Sequence, residues 1–217
     1  MAFDSDKEQL DAFKIWWKEN GRVVVTGLVL GLGGVFGWTT WQNYTTKQAE
    51  SASLLYEEIV NWAAARNYGR VDELTETLLL EFPNSGYAPM SALIRAQSAV
   101  AQDKADEAQG YLRWVVDNGD VEYLKIVANL RLAQLAVEKQ DNDAALGFLD
   151  AVEPGPLSTL YEELRADIYV IEGDAEKALK HYDKALKGER VTAASRSRVE
   201  MKSADLGLGP RASVTGE

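Results

Sequence analysis

Residues 166–185 read ADIYVIEGDAEKALKHYDKA, and the spacing inside this stretch decides the fold. Ala166 and Ala178 stand twelve positions apart, with Gly173-Asp174 between them as a turn signal. Tyr182 and Ala185 follow Ala178 at i+4 and i+7, the rhythm of one helical face. Two antiparallel helices joined by a short turn cross closely only where a small side chain sits, and the paired alanines supply that. The larger apolar residue then fills the groove between one hairpin and the next.

The same frame recurs upstream. Residues 133–152 read AQLAVEKQDNDAALGFLDAV, and 96–115 read AQSAVAQDKADEAQGYLRWV. Ala133, Ala145, Leu149 and Val152 repeat the pattern, as do Ala96, Ala108, Leu112 and Val115. A single hairpin cannot bury its apolar face, so three copies in register predict a stacked array. Asn118-Gly119 and Asp141-Asn142 mark further turns. A less regular hairpin is expected from about residue 49 to 82, with Leu54, Leu55, Ile59 and Trp62 on one helix and Leu74, Leu78 and Leu79 on the other. FPNSGYAP links it to the array, Pro89 falls in the first turn of the next helix, and a last helix over about 192–206 caps the stack. The end, residues 207–217, reads as a disordered tail. No alternating run points to a sheet.

Upstream of the repeats, Arg22 and Lys47 enclose a run without a single charge. Its apolar part, VVVTGLVLGLGGVFGWTTW at 23–41, is about 28 Å long as a helix, close to the ~30 Å of a hydrocarbon core. Trp38, Trp41 and Tyr44 stand at its far end, where amphipathic rings favour headgroups. A buried core helix rarely carries so long a charge-free run. A cleaved signal peptide needs a shorter apolar region and a small-x-small site, and Ala49-Glu50-Ser51 is a poor one. The expectation is an uncleaved transmembrane helix over 22–42. Lys7, Lys14, Lys18 and Arg22 precede it and only Lys47 follows closely. The positive-inside rule therefore puts residues 1–21 in the cytoplasm and 43–206 outside, the periplasm of a bacterium. Leu10, Phe13 and Trp17 share one helical face before the span. This segment reads either as an amphipathic helix on the inner membrane surface, stopped at Asn20-Gly21, or as a frayed tail.

The formal net charge is −11, and residues 1–22 hold four basic and five acidic groups, so −10 lies beyond them. An acidic domain repels phosphates, which argues against nucleic acid as a partner. The chain has no cysteine and one histidine, His181, expected to be solvated. No zinc site, cofactor site or nucleophile–base pair is legible, and Glu57-Glu58 and Glu162-Glu163 fit solvated helix faces. The chain reads as a non-enzyme.

Two candidate binding surfaces remain. Gly27, Gly31 and Gly34 share one face of the span and Gly33 and Gly37 form a second small pair, which lets another membrane helix approach. The inner helices of such arrays line a concave groove, and the spacing places Leu93, Gln97, Val100, Leu130, Gln134, Val137, Asp167 and Val170 there. Of these, Gln97, Gln134 and Asp167 are the expected exposed contacts.

The spacing resembles that of tetratricopeptide repeats, with Tyr169, Gly173, Ala178, Tyr182 and Ala185 at that family's signature positions. The first two copies lack the aromatic at Leu112 and Leu149, and the third lacks the closing proline. The chain from about 17 to 206 is also similar to the YfgM family, ancillary subunits of the bacterial Sec translocon. The likeness is densest in ENGRVVVTGLVLGLGGVFGWTTW, ESASLLYEEIV and LKIVANLRLAQLAVEKQDNDAALGFLD. The resemblance implies an all-α, single-pass inner-membrane protein with a periplasmic α-solenoid. It also implies association with SecYEG and a role in passing emerging client chains to periplasmic chaperones. The other reading of the same fold is a scaffold subunit of a different envelope complex.

Overall fold

The computed structural model describes residues 2–188 and 191–207; apart from Gly207, which closes the last helix, the predicted tail lies outside them. The described residues are helical, with no strand among them. The helices are α1 (Ala2–Ala64), α2 (Tyr68–Glu81), α3 (Tyr87–Val100), α4 (Ala105–Asn118), α5 (Glu122–Glu138), α6 (Asn142–Asp150), α7 (Ser158–Ile171), α8 (Ala175–Leu186) and α9 (Ala193–Gly207). A single 3₁₀ turn, Gly155–Leu157, precedes α7. The chain divides into two units, Met1–Ser51 and Ala52–Glu217.

In the first unit α1 does not stop at Asn20-Gly21 as the sequence predicts. Asn20 turns its side-chain amide back onto the Trp16 carbonyl, 3.1 Å away, and the Trp17 indole lies over Gly21. A residue that favours helix ends is thus held inside a helix by local bonds. Apart from the half-buried Val24, the large apolar side chains of 23–41 are exposed along α1, Phe36 by 77%. Its hydroxyls are satisfied within the helix: Thr26 donates to the Arg22 carbonyl, and Thr39 and Thr40 to that of Phe36. That arrangement suits a helix in hydrocarbon, where an unpaired polar group is costly. Among the described residues α1 is the one helix long and apolar enough to cross a membrane.

The second unit is a stack of helical hairpins. The alanines of the repeat frame are all buried at the crossings: Ala96 with Ala108, Ala133 with Ala145, Ala166 with Ala178. Leu112, Leu149 and Tyr182 are buried beside them. Three core clusters follow in order, around Leu112 and Leu132, around Leu149 and Tyr161, and around Tyr182 and Val199. A fourth cluster, Ile59 with Val71, Leu74, Leu78 and Ala88, lies between the end of α1, α2 and the start of α3.

The turns show that this first hairpin is a full repeat. Arg66, Asp103, Gln140 and Gly173 all hold positive φ, between 55° and 78°. After each, the backbone N–H of the next residue donates to a carbonyl five residues back, from Asn67 to Trp62, Lys104 to Ala99, Asp141 to Ala136 and Asp174 to Tyr169. These bonds close the preceding helix in a left-handed turn. Asn67, Asp141 and Asp174 then cap the following helix, each side chain accepting from an N–H three residues on. Only Gly173 meets the left-handed conformation without steric cost. Nothing crowds an added Cβ there, so the backbone cost stands alone: Gly173→Ala should destabilise by about 1 kcal/mol, read as a lowered midpoint in thermal denaturation.

The last interface differs from the others. Where α5 presents Leu130 to the second cluster, α7 presents Glu163 at the equivalent position. Glu163 is buried, contrary to the solvated face expected, because α9 brings cations to it. Arg198 donates to both carboxylate oxygens at 2.7 and 2.6 Å, and Lys202 donates at 2.9 Å. Burial pushes the Glu163 carboxyl up, but the hydrogen bonds and charges of Arg198 and Lys202 outweigh it and hold the group below its usual 4.5.

Candidate functional site: the inner groove

Gln97 on α3 and Gln134 on α5 line one cavity of about 210 Å³. Leu93, Val100, Val127 and Leu135 give it apolar walls, and Arg131 and Glu138 stand on its α5 side. Both glutamines are exposed. Among the described residues neither side-chain amide is hydrogen-bonded, so each keeps its donors and acceptor unused. A second hollow shares Gln97 and Ile94 and continues along Val60, Ala63 and Ala64 of α1, Ser98 of α3 and Ala101 just beyond its end. The two hollows meet at Ile94 and Gln97, on the inner helix α3.

Leu93, Gln97 and Val100 all line the cavity. On α5 the lining stripe is Val127, Arg131, Gln134 and Glu138, while Leu130 and Val137 pack into the second core cluster. Each inner helix must serve its own partner helix, the next hairpin and the groove. Only a narrow stripe is left for the groove, and Leu130 and Val137 belong to the next-hairpin side. Their recurrence beside Ala133 looked like a groove pattern. The i, i+4, i+7, i+11 stripe from Val127 was the available signal for Arg131 and Glu138.

Asp167 is not with the two glutamines. It accepts from the Tyr182 hydroxyl at 2.6 Å and from Lys202 at 2.6 Å. The Tyr182 phenol is raised well above its ordinary value, first by burial and then by that bond. Asp167 therefore serves the α7–α8–α9 junction. His181 is likewise not the solvated histidine expected. Its Nδ1 lies 2.7 Å from Glu162 and its ring stacks on Tyr169 at 5.2 Å.

On another side of α3, Arg95 is buried between Asp72, 2.6 Å away, and Glu107, 2.7 Å away. Burial raises the Asp72 carboxyl despite the Arg95 charge. This cluster ties α2, α3 and α4 together. Among the described residues no group of histidines and carboxylates is placed to hold a metal ion. In α1, an added Cβ on Gly27, Gly31, Gly33, Gly34 or Gly37 meets nothing within 4 Å.

Stacked helical hairpins define the class: a helical-repeat protein. The sequence profile of the tetratricopeptide repeat-like domain family matches residues 14–208. Curated relatives share the name ancillary SecYEG translocon subunit. The protein from Escherichia coli K12 is 29% identical over 208 residues, covering 95% of this chain and 98% of its own length. That from Neisseria gonorrhoeae is 28% identical over 200 residues, covering 91% and 95%. That from Aggregatibacter actinomycetemcomitans is 30% identical over 190 residues, covering 85% and 91%. The chain belongs to the tetratricopeptide repeat-like domain family and, within it, to the family of the ancillary SecYEG translocon subunits.

Proposed function

We propose that this protein is a non-catalytic, single-pass inner-membrane subunit that stands beside SecYEG and binds emerging client chains, or the periplasmic chaperones that receive them, in its repeat groove. In this reading residues 1–21 are cytoplasmic, 22–42 cross the bilayer and 43–206 lie in the periplasm. The observation that carries it is the convergence of Gln97 and Gln134, both unbonded, on the apolar cavity between α3 and α5. An amide ladder over an apolar floor holds an extended or helical segment by its backbone and accepts one large apolar side chain, with little demand on sequence. The relatives' names support the choice of machine, and the open faces of Gly27, Gly31 and Gly34 support a helix contact within the membrane.

Photo-crosslinking in intact cells tests both surfaces. A probe at Gly31 should capture a SecYEG subunit, and one at Gln134 a translocating chain or a periplasmic chaperone. If Gly31 instead captures subunits of another envelope assembly, the protein is a scaffold there and the translocon reading fails. Gln97→Ala combined with Gln134→Ala should lower the client yield at a neighbouring probe roughly tenfold, as two neutral hydrogen bonds are lost, while the Gly31 crosslink stays unchanged.

A further inference from the structure

The N-terminal approach to the span carries an aromatic cluster that nothing in its own unit covers. Phe13 stacks with Trp16 and Trp17 at centroid distances of 6.2 and 6.1 Å, and the two indoles lie 6.5 Å apart. All three side chains are about half exposed or more. Trp17 is seated on Gly21, whose missing side chain lets the indole lie against the helix. Beside this array Lys14, Lys18 and Arg22 form one ridge at i, i+4 and i+8. Lys14 pairs with Asp11 at 3.0 Å. Among the described residues the Lys18 and Arg22 side chains have no anionic partner.

Helix geometry says what meets this surface. From Trp17 to Trp41 α1 advances 24 residues, or about 36 Å. That exceeds a hydrocarbon core of ~30 Å and falls short of a whole bilayer of ~40–45 Å. If Trp38 and Trp41 sit in one interfacial layer, Trp16 and Trp17 sit in the other. Lys18 and Arg22 then lie just inside the near boundary, and their long stems carry the charges back to phosphate level.

We propose that Phe13, Trp16 and Trp17 with Lys14, Lys18 and Arg22 form a binding site for anionic phospholipid at the N-terminal boundary of the span. The rings occupy the glycerol and upper acyl region, and the cationic ridge pairs with the phosphate and anionic headgroup. The site rests on the reading of α1 as a membrane span.

The test uses the full-length protein reconstituted into nanodiscs of mixed phosphatidylglycerol and phosphatidylcholine, with the co-released lipid identified by native mass spectrometry. Resistance to alkaline carbonate extraction is measured in parallel. Wild type should retain phosphatidylglycerol over phosphatidylcholine by more than the bulk ratio. The double variant Lys18→Gln/Arg22→Gln should lose that preference, by up to about fivefold per cation removed. Trp16→Leu/Trp17→Leu should weaken retention, and Lys47→Gln, at the other end of α1, should leave it unchanged. Equal retention of the two lipids by an inserted wild-type chain, or equal loss in the Lys47→Gln variant, overturns the site but spares the span. Extraction of the wild-type chain by carbonate overturns both.

Discussion

Replacing Tyr161 by alanine should lower the thermal midpoint of the detergent-solubilised protein by about 6–20 °C. Tyr161 is the largest fully buried side chain among the described residues. Its ring belongs to the cluster of Ile126, Leu130, Ala133 and Leu149, where α5, α6 and α7 meet. Its hydroxyl donates to the Ile126 carbonyl at 2.7 Å, and burial pushes the phenol up to about 12, so it remains a neutral donor. Removing a buried aromatic costs about 3–5 kcal/mol through lost transfer energy and the cavity left behind. In a domain of this size each kcal/mol shifts the midpoint by about 2–4 °C. Tyr161→Phe keeps the volume and loses one hydrogen bond, so it should cost only about 1 kcal/mol. Equal effects from the two variants would mean that the hydroxyl, and not the packing, holds this joint.

Replacing Glu163 by alanine should free α9 while leaving α3 to α6 folded. The α9 helix buries only Ser195 and Val199, so little apolar packing holds it. Three bonds from Arg198 and Lys202 to one carboxylate do most of that task. Losing them should cost roughly 2–3 kcal/mol, less than for a fully buried pair, because both cations retain access to water. The measurement is amide hydrogen exchange, with protection lost in α9 and retained in α5. A pH dependence follows with a definite sign. The folded Glu163 carboxyl lies below its ordinary 4.5. Its contribution is therefore complete above the unfolded value and is lost as pH falls through the lower folded one. Facing it from α9 are Arg198 and Lys202, and beside it stand Asp167 and Tyr182. The Lys202 ammonium is held above its usual value, since the bonds to Asp167 and Glu163 overcome the opposing effect of burial. Exchange protection in α9 should thus be flat from neutral pH down to about 4.5 and fall below it. Protection that instead falls between pH 7 and 5 would point away from this carboxylate.

The frame of small and large residues carried most of the fold. Ala96, Ala133 and Ala166 are visible in the sequence because a close crossing tolerates little else, and all three sit where that argument puts them. The first hairpin was legible only as irregular. Its crossing positions hold Ile59 and Val71 in place of alanines, both fully buried. A pattern defined by small size cannot register larger residues at a wider crossing. The left-handed turns at Arg66, Asp103 and Gln140 escaped notice for a similar reason. Only Gly173 advertises a positive φ by its residue type, whereas the other three are held there by the hydrogen bonds that close each helix.

The groove divides along the same line. Gln97 and Gln134, placed on one face by spacing, do line one cavity, because the inner face of each repeat recurs with the repeat. Arg131 and Glu138 line the same cavity without having been expected there, and Asp167 lies apart from it, bonded to Tyr182 and Lys202. At the last hairpin the next element is α9, whose Lys202 claims Asp167. No periodicity within α7 contains that information.

By itself the sequence determined the helical class, the repeat register and the apolar helix before the repeats, since each depends on spacing along one chain. The tertiary structure alone decided which face of α5 is open, why Glu163 is buried and where α1 declines to stop. Those outcomes depend on what packs alongside, a cation from 35 residues away or an indole over a glycine, and the energy of such contacts is written in no local pattern.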